Sequence, residues 1–237
     1  MADFYQTKTQ YPGSFLGRVL IQANGSIGGK RHVFVHMNDA DDAQIKHLPT
    51  GCIVKNPFKG MAKLYTYDLM QYDIEGNGYI LKTYEAKEAP SGTTLKVVRD
   101  GYHHIPFVGD NIMVAPATLE GTGTGVTITA VKENEDNWEL TLSATLSGIS
   151  AGTVLQEAAA AGSGVKAMVT NPNAFLPCDY DFLFDPTAGA DKYNGARYFV
   201  TPCYLYGGPV GWISKMSPLP PAVKAMNKSL VAGFFHL

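Results

Sequence analysis

The sequence predicts a mainly β fold: an antiparallel β-sandwich or barrel module inserted in a mostly β platform, with few short helices. Three observations carry this. Residues 93–144 hold four short runs rich in Val, Ile, Thr and Leu, separated by Gly, Asp, Asn and Pro, the pattern of half-buried antiparallel strands. Only 17% of residues are charged, below the usual quarter or so, so much of the chain must be covered by packing. Helix signals longer than a single turn are confined to two short stretches, 39–48 and 222–232.

Residues 1–14 are polar and aromatic, with Pro12 and Gly13. They form an arm rather than a core. Phe15–Ala23 is a strand candidate closed by Asn24-Gly25, a favoured hairpin turn. Arg31–Met37 alternates, with His32, Phe34 and His36 on one face and Val33, Val35 and Met37 on the other. Asn38 can cap a short helix over Asp39–Leu48, whose first turn holds Asp39, Asp41 and Asp42. Pro49-Thr50-Gly51 ends it. Cys52–Val54, Ala62–Asp68 and Gly78–Glu85 read as strands, with an Asp73–Gly78 turn before the last.

A boundary is expected near residues 85–92, giving an N-terminal arm and platform part over 1–90 and a β-module over 91–170. The module's strands are Thr93–Val98, Asn111–Ala115, Gly125–Val131 and Trp138–Ala144. In the third, Val126, Ile128 and Ala130 should share one face, opposite Thr127, Thr129 and Val131. In the fourth, Trp138, Leu140 and Leu142 should share one. Lys132–Asn137 is a plausible hairpin loop. Gly152–Glu157 and Val165–Val169 are further strands around a small-residue turn, or one helical turn, over 158–164.

Residues 171–237 form the C-terminal platform part. Pro172 and Pro177 mark a loop and argue against a central strand there. Tyr180–Phe184, Arg197–Tyr206 and Val210–Met216 read as strands. Pro220-Pro221 opens a short helix over Ala222–Ala232, with Val223, Met226 and Leu230 on one face and Gly233 after it. The tail Phe234-Phe235-His236-Leu237 is costly to expose, so burial in the body or in a partner is expected.

Candidate chemistry is sparse. His103-His104 would point to opposite faces of a strand and lack evident co-ligands. His32 and His36 are too far apart along a strand to chelate. Asp73-x-Glu75-x-Asn77-Gly78 echoes a calcium loop, but Tyr84 stands where the bidentate Glu belongs. Asp179 and Asp181 alternate with aromatics, as on a half-exposed strand. Gly121-Thr-Gly123-Thr-Gly125 fails the dinucleotide spacing. There is no phosphate-loop lysine, nucleophile elbow or triad spacing. Cys52, Cys178 and Cys203 fit no zinc pattern and read as thiols made in a reducing cytosol. No enzyme, cofactor or metal is therefore expected.

The overall charge is −2, so nucleic acid is not expected as a partner. Residues 1–64 carry 8 Lys/Arg against 4 Asp/Glu, residues 65–190 carry 6 against 16, and residues 191–237 carry 5 against 1. Basic ends flanking an acidic middle suit docking through the ends. The N-terminus has no apolar signal core and no stretch reaches membrane-spanning length, so no secretion signal or membrane contact is expected. The 13 Tyr suit a protein–protein interface.

Four runs, GYHHIPFVGDNIMVAPATLEGTGTGVTITAV, LTLSATLSGISAGTVLQEAAAAGS, NPNAFLPCDYDFLFDP and MSPLPPAVKAMNKSLVAGFF, resemble the head fibre or auxiliary (decoration) capsid proteins of tailed bacteriophages of Bacteroides-type gut bacteria, including crAss-like phages. The resemblance covers residues 62–237, with 152–163 and 172–181 its more specific pieces. It implies a structural virion protein on the capsid surface, made in the host cytoplasm, that cements or decorates the shell. The implied partners are the major capsid protein and further copies of the chain, a trimer being the simplest guess. The contacts are then expected in the arm (Phe4, Tyr5, Tyr11, Phe15) and in the tail (Phe234, Phe235). The acidic module would face outward. The alternative is a carbohydrate- or host-surface-binding module of a virion, stacking sugars on Trp138 and Tyr102.

Overall fold

The computed structural model describes residues 19–21, 32–34, 51–58, 63–65, 68–101, 103–176, 180–181, 199–200, 202–204, 211–212, 217–226 and 234–235. The chain is mainly β. In order, its elements are β1 (Val19–Ile21), β2 (His32–Phe34), β3 (Cys52–Val54), β4 (Lys63–Leu64), β5 (Leu69–Tyr72), β6 (Asn77–Ile80), β7 (Thr83–Glu85), β8 (Thr94–Val98), β9 (Asn111–Val114), β10 (Thr122–Glu133), β11 (Asn137–Leu142), β12 (Val154–Glu157), β13 (Gly162–Lys166), β14 (Ala174–Phe175), β15 (Tyr180–Asp181), β16 (Phe199–Val200), β17 (Cys203–Tyr204), β18 (Gly211–Trp212), α1 (Pro221–Lys224) and β19 (Phe234–Phe235). Among the described residues no helix is long and apolar enough to cross a membrane.

The larger sheet has seven strands in the order β7-β12-β9-β10-β11-β8, with β13 added to β10. An antiparallel bridge between Ala86 and Val97, and the Lys87 N–H donated to the Lys96 carbonyl at 2.9 Å, bring β8 back to β7. Six strands thus run round into a small barrel. Tyr84, Leu95, Val97, Ile112, Val126, Ile128, Leu140, Leu142 and Leu155 fill it, and each fully buried Leu or Ile contributes about 1.5–3 kcal/mol. This sheet begins at Thr83, upstream of the 91 boundary expected from the sequence.

The alternation expected in β10 holds only in part. Val126 and Ile128 are buried, but the register to β11 shifts between Ile128 and Ala130. This bulge turns Ala130 outward and lays Val131 against the core, because one extra residue exchanges the two faces. In β11, Leu140 and Leu142 are buried and Trp138 packs beside them, as expected.

The second sheet has six strands in the order β16-β3-β6-β5-β14-β17. Cys52, Val54, Met70, Ile80, Ala174, Leu176 and Val200 form its core with Phe58, Leu64 and Tyr65. Its strands come from both sides of the barrel stretch. Two expectations change here. Gly78–Glu85 is two strands, not one: the Lys82 N–H turns back to the Ile80 carbonyl at 3.0 Å, and the chain passes from one sheet into the other. Residues 174–175 do form a central strand, pairing with β5 and β17. Pro172 and Pro177 flank that pair, so the paired residues keep their N–H groups. Asn173 also ties in here, accepting the Tyr72 N–H at 2.8 Å and donating to the Tyr72 carbonyl at 2.9 Å.

β1 and β2 pair antiparallel, Leu20 opposite Val33, as the hairpin reading required. The strand expected over Ala62–Asp68 is shorter, with β4 pairing with β15, and a further strand, β5, follows it. Arg197–Tyr206 divides into β16 and β17. The helix expected at 222–232 is instead a single turn, α1 over Pro221–Lys224, which buries Ala222 and Val223. Ala225 caps it and the Met226 N–H turns to the Val223 carbonyl at 3.1 Å, while residues 227–232 lie outside the described residues. The helix expected at Asp39–Leu48 lies outside the described residues.

Candidate functional site

The polar residues that the fold gathers lie where the chain crosses between the two sheets. Asn56 and Phe58 follow β3. Asp68 precedes β5. Lys82 sits between β6 and β7. His104 and Asp110 belong to the loop entering β9, and Glu157 ends β12. Lys82 is 1% exposed, Asp68 2%, His104 3%, Asp110 3%, Asn56 7% and Glu157 9%. Charged groups so deeply buried need partners, since unpaired burial costs several kcal/mol.

Lys82 has two. Its Nζ lies 3.3 Å from Glu157 Oε1 and 3.6 Å from Asp110 Oδ2, and 5.4 Å from the centre of the Phe58 ring, within cation–π range. Asn56 completes the Glu157 carboxyl, donating Nδ2–H to Oε2 at 2.6 Å. The same Nδ2 lies 2.9 Å from the Ile80 carbonyl, and Asn56 Oδ1 accepts the Ile80 N–H at 2.6 Å. The Glu157 N–H donates to the Lys82 carbonyl at 3.0 Å, which fixes the two side chains relative to each other. Burial pushes the Glu157 carboxyl above the usual range; Lys82 opposes this and the Asp110 charge adds to it. Tyr84, fully buried beside them, has its ionisation pushed far up, by burial first and then by the Asp110 and Glu157 charges.

A second pair borders the first. His104 Nδ1 accepts the Thr83 N–H at 2.9 Å, and its Nε2 lies 2.9 Å from Asp68 Oδ1. Asp68 Oδ2 accepts the Tyr65 N–H at 3.1 Å. The His104 ring stands 5.1 Å from the Phe58 ring, so Phe58 joins the pairs. His103, by contrast, is half-buried near Asp100 and Glu85. The two histidines serve different surroundings, and they lie in the loop before β9 rather than on the strand expected from the sequence. Cys52, buried in the second core, has its thiol pushed up to about 12, by burial first and by the Asp73 charge second, which makes it a poor nucleophile.

In the calcium-like stretch, Asp73 Oδ1 accepts the Glu75 and Asn77 N–H groups at 2.9 and 2.8 Å, and Oδ2 accepts from Asn77 Nδ2 at 2.9 Å. Its oxygens thus build a hairpin turn, with Gly76 at φ 83°. Among the described residues no group of three His, Cys, Asp or Glu is gathered as for a metal ion. Gly123 and Gly125 serve packing: a Cβ at Gly125 would run into the Ala160 carbonyl oxygen, and one at Gly123 would meet Met113 Cε at 2.7 Å. The half-buried Trp138 ring carries the Arg99 guanidinium at 5.3 Å, and Arg99 is itself paired with Glu133. Tyr102 lies outside the described residues, as do Phe4, Tyr5, Tyr11 and Phe15. Phe234 and Phe235 form β19, which runs parallel to β18 with Gly211 opposite Phe234.

Sequence reasoning missed the Lys82–Asp110–Glu157 group. The available signal was a lysine inside the apolar run Tyr79–Tyr84 and a glutamate after Val154-Leu155. Each is a lone charge where the strand pattern calls for an inward apolar residue. No protein-family model, curated protein or solved structure matches this chain significantly.

Proposed function

We propose that the chain is a non-enzymatic structural protein of a virion: an auxiliary, head fibre-type protein on the outer face of a phage capsid. It would touch the major capsid protein and its own copies, as a homo-oligomer. The observation that supports this best is the junction between the sheets. Its charged side chains are spent on one another and on backbone groups in a dry interior, an arrangement suited to holding a barrel firmly on a platform. The resemblance of residues 62–237 to head fibre proteins, and the basic flanks around an acidic barrel stretch, support it too. Repeated on a symmetric shell, modest contacts would add to firm retention.

The test is co-sedimentation of the purified protein with capsids lacking it, beside versions without residues 1–14 or 233–237. Saturable binding by the full chain, weakened by either truncation, is expected. Failure of every form to sediment with the capsid would overturn the proposal.

A further inference from the structure

The Lys82 group holds more than an ion pair needs. An ammonium is enclosed between two carboxyl groups, with Phe58 on one side and Tyr84 nearby, at a place almost closed to water. Backbone bonds on both sides hold it: Glu157 N–H to the Lys82 carbonyl, and Ile128 N–H to the Asp110 carbonyl at 2.9 Å. A primary amine fixed against a carboxyl group in a dry pocket is the geometry in which amide formation gains most from proximity, and exclusion of water favours condensation over the reverse hydrolysis. We propose that Lys82 and Asp110 join as an intramolecular isopeptide bond, with Glu157 relaying the protons.

The step balances without any further reactant. Lys82 Nζ passes a proton to Glu157 Oε1, 3.3 Å away, and the free amine attacks Asp110 Cγ. The Nζ–Cγ bond forms, the Cγ–Oδ2 bond breaks, and the departing oxygen takes two protons and leaves as water. An ammonium and a carboxylate thus become an amide and one water, and Glu157 returns to its starting state. Its raised affinity for a proton, which burial provides, suits a group that must take a proton and give it back. Asn56, bonded to Glu157 Oε2, holds the carboxyl turned toward the amine. The link would clamp the start of β7 to the loop entering β9. This inference stands apart from the virion reading, since it concerns only the interior of the chain.

The experiment is peptide mass mapping of the full-length wild-type protein, unfolded and digested. The expected result is a branched species in which the Lys82 and Asp110 peptides are joined and together lighter by one water, with no tryptic cleavage after Lys82. Recovery of both peptides at their linear masses would overturn the proposal. A species lighter by one ammonia, with Asn56 as the acyl partner, would overturn the assignment to Asp110. Glu157→Gln keeps both reacting groups and should return the linear peptides; a cross-link formed as fully as in the wild type would overturn the relay. The wild-type measurement decides the bond even if a variant fails to fold.

Discussion

His104 stands between a backbone donor and a carboxylate: its Nδ1 accepts the Thr83 N–H and its Nε2 faces Asp68 Oδ1, both at 2.9 Å. Nδ1 must therefore carry a lone pair and Nε2 the hydrogen, so the ring is held as one neutral tautomer. Asp68 then accepts on both oxygens, from His104 and from the Tyr65 N–H. Asn at position 68 offers one acceptor oxygen for two donors. Asp68→Asn should destabilise the protein by about 1–3 kcal/mol, read as a lower urea midpoint, and nitrogen NMR of the wild type should show a neutral imidazole protonated on Nε2.

The ribbon formed by β10 and β13 orders two glycines by consequence. At Gly125 a side chain meets backbone, the Ala160 carbonyl; at Gly123 it meets the end of the flexible Met113 side chain. Gly125→Ala should cost about 1–3 kcal/mol, in the range of an overpacked core, and Gly123→Ala clearly less. Paired urea unfolding curves would show it, and equal effects would contradict this packing.

Asp73 gives the β5–β6 turn a pH dependence. The Asn77 side chain first, then the Asn77 backbone N–H, hold its carboxyl below the ordinary 3.8. The folded state binds this proton more weakly than the unfolded chain. The turn's contribution is thus present above 3.8 and is lost as pH falls through the lower folded value. Asp73→Ala should be less stable than wild type at neutral pH, and the gap should close in strong acid. Unfolding midpoints of the two proteins across an acid series check this.

Cys52 should be silent to thiol reagents while the chain is folded, because only the thiolate reacts and burial pushes its ionisation up to about 12. With Cys178 and Cys203 changed to Ser, labelling by an aromatic disulfide reagent at neutral pH should begin only with denaturant and follow the unfolding curve. Prompt labelling of the folded protein would contradict the buried placement.

How far the fold was legible depended on whether local pattern or long-range pairing set each element. β8, β9 and β11 follow from alternation and bounding turn residues alone, and Leu140 and Leu142 face inward as the period requires. Val131 turns toward the core against that period, because the bulge after Ile128 depends on how β10 meets β11. Residues 174–175 pair inside a sheet despite the nearby prolines, since β5 and β17 come from distant parts of the chain. The junction charges were the least legible. Lys82, Asp110 and Glu157 are far apart in sequence, so the pattern that places Lys82 and Glu157 inward does not say which partners they meet.

The bridge from Ala86 to Val97 bears on behaviour in a crowd. An open sheet ends in a row of idle backbone groups, which a neighbouring molecule can extend strand by strand. Here the rolled sheet meets itself at Ala86 and Val97, with the Lys87 N–H donated to the Lys96 carbonyl, and part of that row is used within one chain. The one strand appended outside the ring, β13, carries Gly162 and Gly164 at φ 124° and 69°, which spoils it as a flat template. Along the Ala86–Val97 seam the sheet therefore offers a neighbouring copy little free edge to extend.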